Sequence, residues 1–352
     1  MRRQASFRSK RNRAAAVLIG VMALLLVLAG CGADNGTPDA SSSASPAAAA
    51  SPSASASASA SESASPAAAE KHTTYPLTVT DAQGRSFTFE QAPERIISTS
   101  PAETEILFAL GLGDKVVGVS DYDDYPAETK DKPKIGDVIK PNEETLVSLT
   151  PDLVITGLSM PEDVADRIRS LNLKLYRNIP RTMDDVMETI AQFGLITDRQ
   201  AEADALIASM KADIQKVKDA VAAVAPEDRK KVYVEIAPGW TVGQGEFLDE
   251  LISVAGGVNV AGDTTGWSEI SEEKIVQSNP DVILYAADLV DYETGKPLED
   301  IIRGRSGWEK IAAIEEDRVI GLDENILSRP GPRITQGLLD VAKAIYPDLV
   351  KE

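Results

Sequence analysis

The side chains available to this 352-residue chain limit its chemistry before any fold is considered. There is one His, His72, and one Cys, Cys31. No disulfide can close within the chain, and a Cys₂His₂ or Cys₄ zinc site is impossible. A Ser-His-Asp triad would have to use His72, which borders a low-complexity stretch far from any expected core. Carboxylates are plentiful, with 55 Asp+Glu against 36 Lys+Arg and a formal net charge of −19. A pair of them can act as acid and base in glycoside hydrolysis, but nothing in the order of the chain singles out such a pair. A Walker-type loop is absent, and Gly111-Leu-Gly-Asp-Lys ends a helix instead of opening one. The acidic balance argues against nucleic acid, whose phosphates need clustered Lys and Arg. Neither catalytic residues nor protein metal ligands are expected.

What remains is binding chemistry. Trp240, in Ala-Pro-Gly-Trp-Thr, and Trp267, in Asp-Thr-Thr-Gly-Trp, sit in Gly-containing loop-like contexts. Loops at strand ends are where α/β proteins present ligand contacts, with core packing as the competing assignment. Trp308, opening a helix in Ser-Gly-Trp-Glu-Lys-Ile, reads as packing. Asp121-Tyr-Asp-Asp-Tyr follows a strand, which makes Tyr122 and Tyr125 candidate cleft residues. Arg329, in Leu-Ser-Arg-Pro-Gly-Pro-Arg, suits an anionic ligand group.

The elements that must position these residues alternate between strand and helix. Leu77-Thr-Val-Thr and Ser86-Phe-Thr-Phe flank Ala82-Gln-Gly-Arg as a hairpin. Arg95-Ile-Ile-Ser reads as a strand, and Ser100-Pro-Ala-Glu as a capping box with Pro at the first helical position. The helix behind it runs through Ile106, Leu107 and Leu110 to Gly111, and Val116-Val-Gly-Val is the next strand. An internal repeat extends the pattern. Glu143-Glu-Thr-Leu-Val-Ser-Leu-Thr-Pro-Asp-Leu-Val-Ile returns 129 residues later as Glu272-Glu-Lys-Ile-Val-Gln-Ser-Asn-Pro-Asp-Val-Ile-Leu. Each copy reads as a short helix, a Pro-Asp turn and a buried strand. A second echo pairs Glu105-Ile-Leu-Phe-Ala-Leu-Gly with Glu250-Leu-Ile-Ser-Val-Ala-Gly. Two copies make two pseudo-equivalent lobes, since a solenoid needs more. The repeat singles out Glu144 and Glu273. The helix dipole favours a carboxylate at each place, and the two together form a pseudo-symmetric pair suited to a two-fold partner carrying Arg on each subunit.

The expected architecture is α/β: two Rossmann-like lobes with central sheets, joined through a long helix, with a ligand cleft between them. The first lobe is placed at residues 75–181, a helical linker at 182–225 and the second lobe at 226–352. In the linker, Thr182 caps a helix from Met183 to Gly194. A second helix, roughly residues 198–224, carries the stripe Ala203, Ile207, Met210, Ile214, Val217, Val221 and Val224.

Ahead of the lobes lies an export signal. Arg2, Arg3, Arg8, Lys10, Arg11 and Arg13 precede an apolar run over residues 14–30 that ends in Leu-Ala-Gly before Cys31. A basic region, an apolar region and small residues at a cut site describe a signal peptide over residues 1–30. The Leu-Ala-Gly-Cys ending resembles the lipobox of bacterial lipoproteins, which implies that Cys31 is lipidated and anchors the chain outside the cytoplasm. Loss of the leader removes six positive charges and leaves the mature chain near −25. From residue 40 to 69 every residue but Glu62 is Ala, Ser or Pro, so residues 31–74 read as a disordered tether.

Three stretches carry a family resemblance: Pro93-Glu-Arg-Ile-Ile-Ser-Thr-Ser-Pro-Ala-Glu-Thr-Glu-Ile-Leu-Phe-Ala-Leu-Gly, Val117-Gly-Val-Ser-Asp-Tyr-Asp-Asp-Tyr-Pro, and Pro-Asp-Leu-Val-Ile. Over about residues 76–350 the chain resembles the substrate-binding lipoproteins of iron-siderophore and cobalamin ABC importers. The resemblance implies a metal chelate, carried with its own coordination, as ligand. It also implies an ABC permease dimer with its ATPase as partner and a monomeric binding protein. One Glu per lobe docks onto permease Arg residues in that family; the matching positions are Glu144 and Glu273. The similarity is greatest to cobalamin binders, where Trp267, Trp240, Tyr122 and Arg329 match contact positions. Those proteins have a Trp six residues before the first docking Glu; here Val138 stands there, which keeps ferric siderophores as the alternative ligand. Heme is less favoured because no His is available in the cleft, although Tyr also ligates heme iron. An extracytoplasmic hydrolase using paired carboxylates is the remote alternative.

Overall fold

A computed structural model describes residues 71–351 of the chain. The signal peptide, Cys31 and most of the tether lie outside the described residues. The tether, expected to reach residue 74, gives way earlier to bonded chain: the Thr73 N–H donates to Asp198 Oδ1 at 2.6 Å and its hydroxyl to the Leu195 carbonyl at 2.7 Å. His72 meets Asp198 at 3.2 Å on the surface.

The first lobe opens with the hairpin β1 (Leu77–Thr80) and β2 (Ser86–Phe89), in the register Leu77↔Phe89. Then come β3 (Ile96–Ser98), α1 (Pro101–Ala109), β4 (Val116–Val119), α2 (Glu143–Ser148), β5 (Leu153–Thr156), α3 (Glu162–Ser170) and β6 (Leu175–Arg177). Strands β3 to β6 form one parallel sheet in the order β4-β3-β5-β6. Both faces are buried, as a parallel sheet requires. Ile96, Leu153, Ile155 and Tyr176 point into the large core, while Ile97, Val154 and Leu175 point into a second cluster with Leu146 and Ile168.

The linker is two helices, α4 (Met183–Thr197) and α5 (Gln200–Val221). Thr182 and Asp185 form a reciprocal capping box at the start of α4. Asp198 ends it in the left-handed region (φ 56°), so the chain turns before α5 instead of running on. Helix α5 begins at Gln200 and ends at Val221, inside the expected bounds of 198 and 224, so it has 22 residues, about 33 Å of rod. It buries Ala203, Met210, Ile214 and Val217 of the anticipated stripe. Helix α4 packs on α1, and α5 packs on the second lobe.

That lobe comprises β7 (Lys231–Glu235), β8 (Trp240–Val242), α6 (Phe247–Val254), β9 (Val258–Asn259), β10 (Trp267–Glu269), α7 (Glu272–Ser278), β11 (Val282–Ala286), α8 (Leu298–Arg303), α9 (Ala312–Glu315), β12 (Val319–Leu322), α10 (Glu324–Ser328) and α11 (Ile334–Ile345). Its parallel sheet has the order β12-β11-β7-β9. Read from the other edge this is β9-β7-β11-β12, the topology of β4-β3-β5-β6. The repeat thus places α2 opposite α7 and β5 opposite β11 in equivalent positions. The fold is α/β with two lobes.

Three local expectations are corrected. Neither half of the capping box forms: Ser100 makes no side-chain cap bond, and the Glu103 carboxyl accepts instead from Asn178 Nδ2 at 2.8 Å. Trp308 is buried packing, 1% exposed, but stands in the turn between α8 and α9 and opens no helix. Trp240 and Trp267 sit on strands: β8 and β10 pair antiparallel with Trp240 opposite Glu269 and Trp267 opposite Val242.

Candidate functional site

The sheets converge with the carboxyl ends of their strands toward a cavity of ≈ 570 Å³ lined from both lobes. The first lobe contributes the β3–α1 turn (Ser100 to Glu103), the loop after β4 (Tyr122) and the segment Asp137, Val138 and Ile139. The loop after β5 adds Leu158 and Ser159. From the second lobe come Phe247 at the start of α6, Trp267 on β10, and Glu324, Asn325 and Arg329 around α10.

Each wall has a local cause. The β8–β10 ribbon is fastened to its lobe by the Thr241 hydroxyl, which donates to the Val234 carbonyl at 2.7 Å. It is also held by the Gly239 N–H, donating to Glu235 Oε1 at 2.9 Å. Glu235 is in turn bridged by Arg305 through both Nη atoms, at 2.6 and 2.5 Å. This fixes Trp267, whose ring packs on Phe247 at 6.1 Å between centroids. Opposite them the Tyr122 hydroxyl donates to Asp137 Oδ2 at 2.7 Å. That bond raises the phenol's pKa and lowers that of Asp137, so the proton stays on Tyr122. Val138 belongs to the core of the first lobe and shows 7% of its surface, whereas Ile139 beside it is 54% exposed.

Polar groups also hold the lobes together. Arg333 donates from Nε and Nη2 to the two carboxylate oxygens of the buried Glu105, at 2.8 and 2.7 Å. The Arg333 guanidinium lies over the Tyr125 ring at 4.2 Å. Arg329 donates to Asp124 Oδ1 at 2.6 Å, to the Tyr122 carbonyl at 3.3 Å and to Glu105 at 3.4 Å. Desolvation raises the Asp124 pKa, but the hydrogen bond and charge of Arg329 outweigh it and hold that carboxyl below the usual range. Gly331 closes the seam: a Cβ there would stand 3.3 Å from the Ala102 carbonyl oxygen. In the floor, Glu103 is 1% exposed, Oε1 accepts from Asn178 and Oε2 has no partner. Gly157 makes room for it, since a Cβ would meet both carboxylate oxygens at 2.5 and 2.6 Å. Burial pushes the Glu103 carboxyl up, and the hydrogen bond from Asn178 only partly offsets it.

Of the ligand-contact residues anticipated from the sequence, Tyr122, Trp267 and Arg329 line this one cavity. Trp240 does not; it lies two residues further along the same ribbon face, 41% exposed. Glu144 and Glu273 stand away from the cavity, exposed in the first turns of α2 and α7. Sequence reasoning missed Phe247, Ile139, Ser159 and the α10 residues. The rule that ligands gather beyond strand carboxyl ends points to Ser159 and Asn325; Phe247 carries no comparable signal, being an apolar residue opening an amphipathic helix. Among the described residues no group of three or more His, Cys, Asp or Glu side chains is placed to hold a metal ion. No described helix is long and apolar enough to cross a membrane.

This arrangement, two equivalent α/β lobes around a cavity with aromatic walls, is that of a receptor for a small solute. A family model for periplasmic binding proteins matches residues 96–326, and the chain belongs to that family. It is 35% identical over 292 residues to the uncharacterized ABC transporter substrate-binding lipoprotein YvrC of Bacillus subtilis, covering 81% of this chain and 90% of that one. It is 29% identical to the cobalamin-binding protein of Halobacterium salinarum, covering 80% and 77%. Among solved structures, a possible iron-binding periplasmic solute-binding protein from Staphylococcus epidermidis superposes with a TM-score of 0.64 at 30% identity, covering 73% and 100%. A periplasmic heme-binding protein from Roseiflexus sp. gives 0.65 at 28% identity, covering 72% and 98%.

Proposed function

We propose that this chain is the extracytoplasmic, lipid-anchored binding protein of an ABC importer, capturing a metal chelate between its lobes, with a cobalt corrinoid favoured. The observation that carries the reading is the cavity of ≈ 570 Å³ in which Trp267 and Phe247 of one lobe face Tyr122 and Ile139 of the other. Flat aromatic and apolar surfaces suit the face of a macrocycle, and Asp137, Ser159, Asn325 and Arg329 on the same walls can meet polar groups at its edge. The cobalamin-binding relative from Halobacterium supports this choice of ligand. The lobes enclose the chelate and leave its metal coordination intact, so the chain needs no cofactor and performs no catalysis. Cys31 carries the lipid, and the monomer delivers its cargo to a permease dimer through Glu144 and Glu273; the ATPase of that complex supplies the energy.

A ferric siderophore is the second reading, favoured by Val138 and Ile139 standing where an aromatic wall would complete a corrinoid site. Titration of the purified chain with cyanocobalamin and with a ferric trihydroxamate, followed by absorbance and calorimetry, separates the two. Micromolar or tighter binding of cyanocobalamin is expected. Binding of only the trihydroxamate overturns the corrinoid choice, and binding of neither overturns the metal-chelate reading.

A further inference from the structure

Helices α2 and α7 each begin with two glutamates, and the lobes treat the two differently. The first is tied down within its own lobe: Glu143 pairs with Arg167 at 3.3 Å and Glu272 with Arg305 at 3.5 Å. The second, Glu144 or Glu273, is exposed and forms no ion pair with any described residue. Glu273 accepts only from its own helix, from Gln277 Nε2 at 3.0 Å. Three residues on, hence on the same helix face, stand Val147 and Val276, 47% and 41% exposed. Between them Leu146 and Ile275 are buried and pin each helix to its lobe. Side-chain caps fix the first turns alike: Asn142 accepts from the Thr145 N–H at 3.0 Å and Ser271 from the Lys274 N–H at 3.3 Å.

A single exposed valine needs no explanation. Here the same valine recurs at the same register, beside the same unpaired acid, on topologically equivalent helices. Valine is also a poor helix former, so nothing local favours it in solvent. An acid paired across a wet surface contributes little to binding, whereas an apolar contact beside it excludes water and strengthens the pair. We propose that Glu144 with Val147 and Glu273 with Val276 form two equivalent contact points. Their partner is a two-fold permease dimer that presents, once per subunit, a basic side chain beside an apolar recess. The proposal rests on the docking role given to the two glutamates above and adds the apolar half of the contact.

The test uses the cyanocobalamin-loaded chain and its cognate permease–ATPase complex, reconstituted in vesicles, with docking affinity and stimulated ATP hydrolysis as readouts. V147S+V276S is expected to weaken docking at least 5-fold, each single change to weaken it less, and V147I+V276I to preserve it. Affinity for cyanocobalamin should stay within 2-fold of wild type in all of them, since both valines lie outside the cavity. Wild-type docking by V147S+V276S overturns the apolar contact alone. Wild-type docking by E144Q+E273Q overturns the docking role of this face, and the valine contact falls with it.

Discussion

Arg329 of the second lobe donates from Nη1 to Asp124 Oδ1 of the first at 2.6 Å, across the mouth of the cavity. The guanidinium that the sequence offers for an anionic ligand group is thus engaged between the lobes, with Tyr122 and Glu105 as further acceptors. A ligand anion must compete with Asp124 for it, so the arginine couples occupancy of the cavity to the seam between the lobes.

The strength of that seam resides in its buried member. Arg333→Ala leaves the Glu105 carboxylate buried without its bidentate partner and should cost about 3–5 kcal/mol. Arg329→Ala removes the link to the half-exposed Asp124 and two longer contacts, to the Tyr122 carbonyl and to Glu105, which keeps Arg333; it should cost less, about 1 kcal/mol. Urea unfolding of both variants measures the difference; equal losses would contradict this ranking.

Glu103 makes stability depend on pH. Its folded pKa is raised by burial, so the folded state prefers the protonated acid. Its contribution is therefore greatest below the unfolded value of about 4.3 and is lost as pH rises through the folded value. Glu103→Gln keeps an acceptor for Asn178 and has no charge to lose. The variant should be more stable than wild type at pH 7, with the advantage fading toward pH 4. Chemical unfolding at the two pH values decides it, and equal stability at pH 7 would refute the argument.

The two ribbon tryptophans should separate in binding. Trp267→Ala removes a cavity wall and should lower affinity for cyanocobalamin about 10-fold or more, equivalent to about 1.4 kcal/mol. Trp240→Ala, further along the ribbon, should change it less than about 3-fold. Calorimetric titration reads both; a larger loss at Trp240 would place the ligand further out than the cavity.

Ile139 offers the opposite experiment. It is the exposed neighbour of the buried Val138 and faces the cavity, so Ile139→Trp adds an aromatic wall without disturbing the core. Affinity for cyanocobalamin should rise about 3- to 10-fold, in line with about 0.5–1.5 kcal/mol for an aromatic contact. A fall in corrinoid affinity would favour a smaller ferric chelate.

Much of this molecule is legible in the residue order because its causes are local or repeated. The hairpin at residues 77–89, the Thr182 cap, the buried β-branched strands and the two-lobe repeat all follow from neighbours in sequence. The same repeat marked Glu144 and Glu273 as equivalent. The sequence did not decide how competing partners share a side chain. Ser100-Pro-Ala-Glu satisfies a capping rule, yet Glu103 turns to Asn178 because β6 ends beside it, 75 positions along the chain. Asp198, expected to open the second linker helix, instead ends α4 in the left-handed region, and α5 begins two residues later at Gln200. Trp240 and Trp267 look alike in sequence and differ only in how far along one ribbon each lies from the cavity. Arg329 reads as a ligand group until an aspartate 205 positions away is folded against it. Residue types, periodicity and the repeat determined most of the elements and the two-lobe plan, and the class of receptor followed from the resemblance of three segments to a known family. The allocation of buried charge and the membership of the cavity were settled only when distant strand ends met in space, because hydrogen bonds and burial act over ångströms and ignore position along the chain.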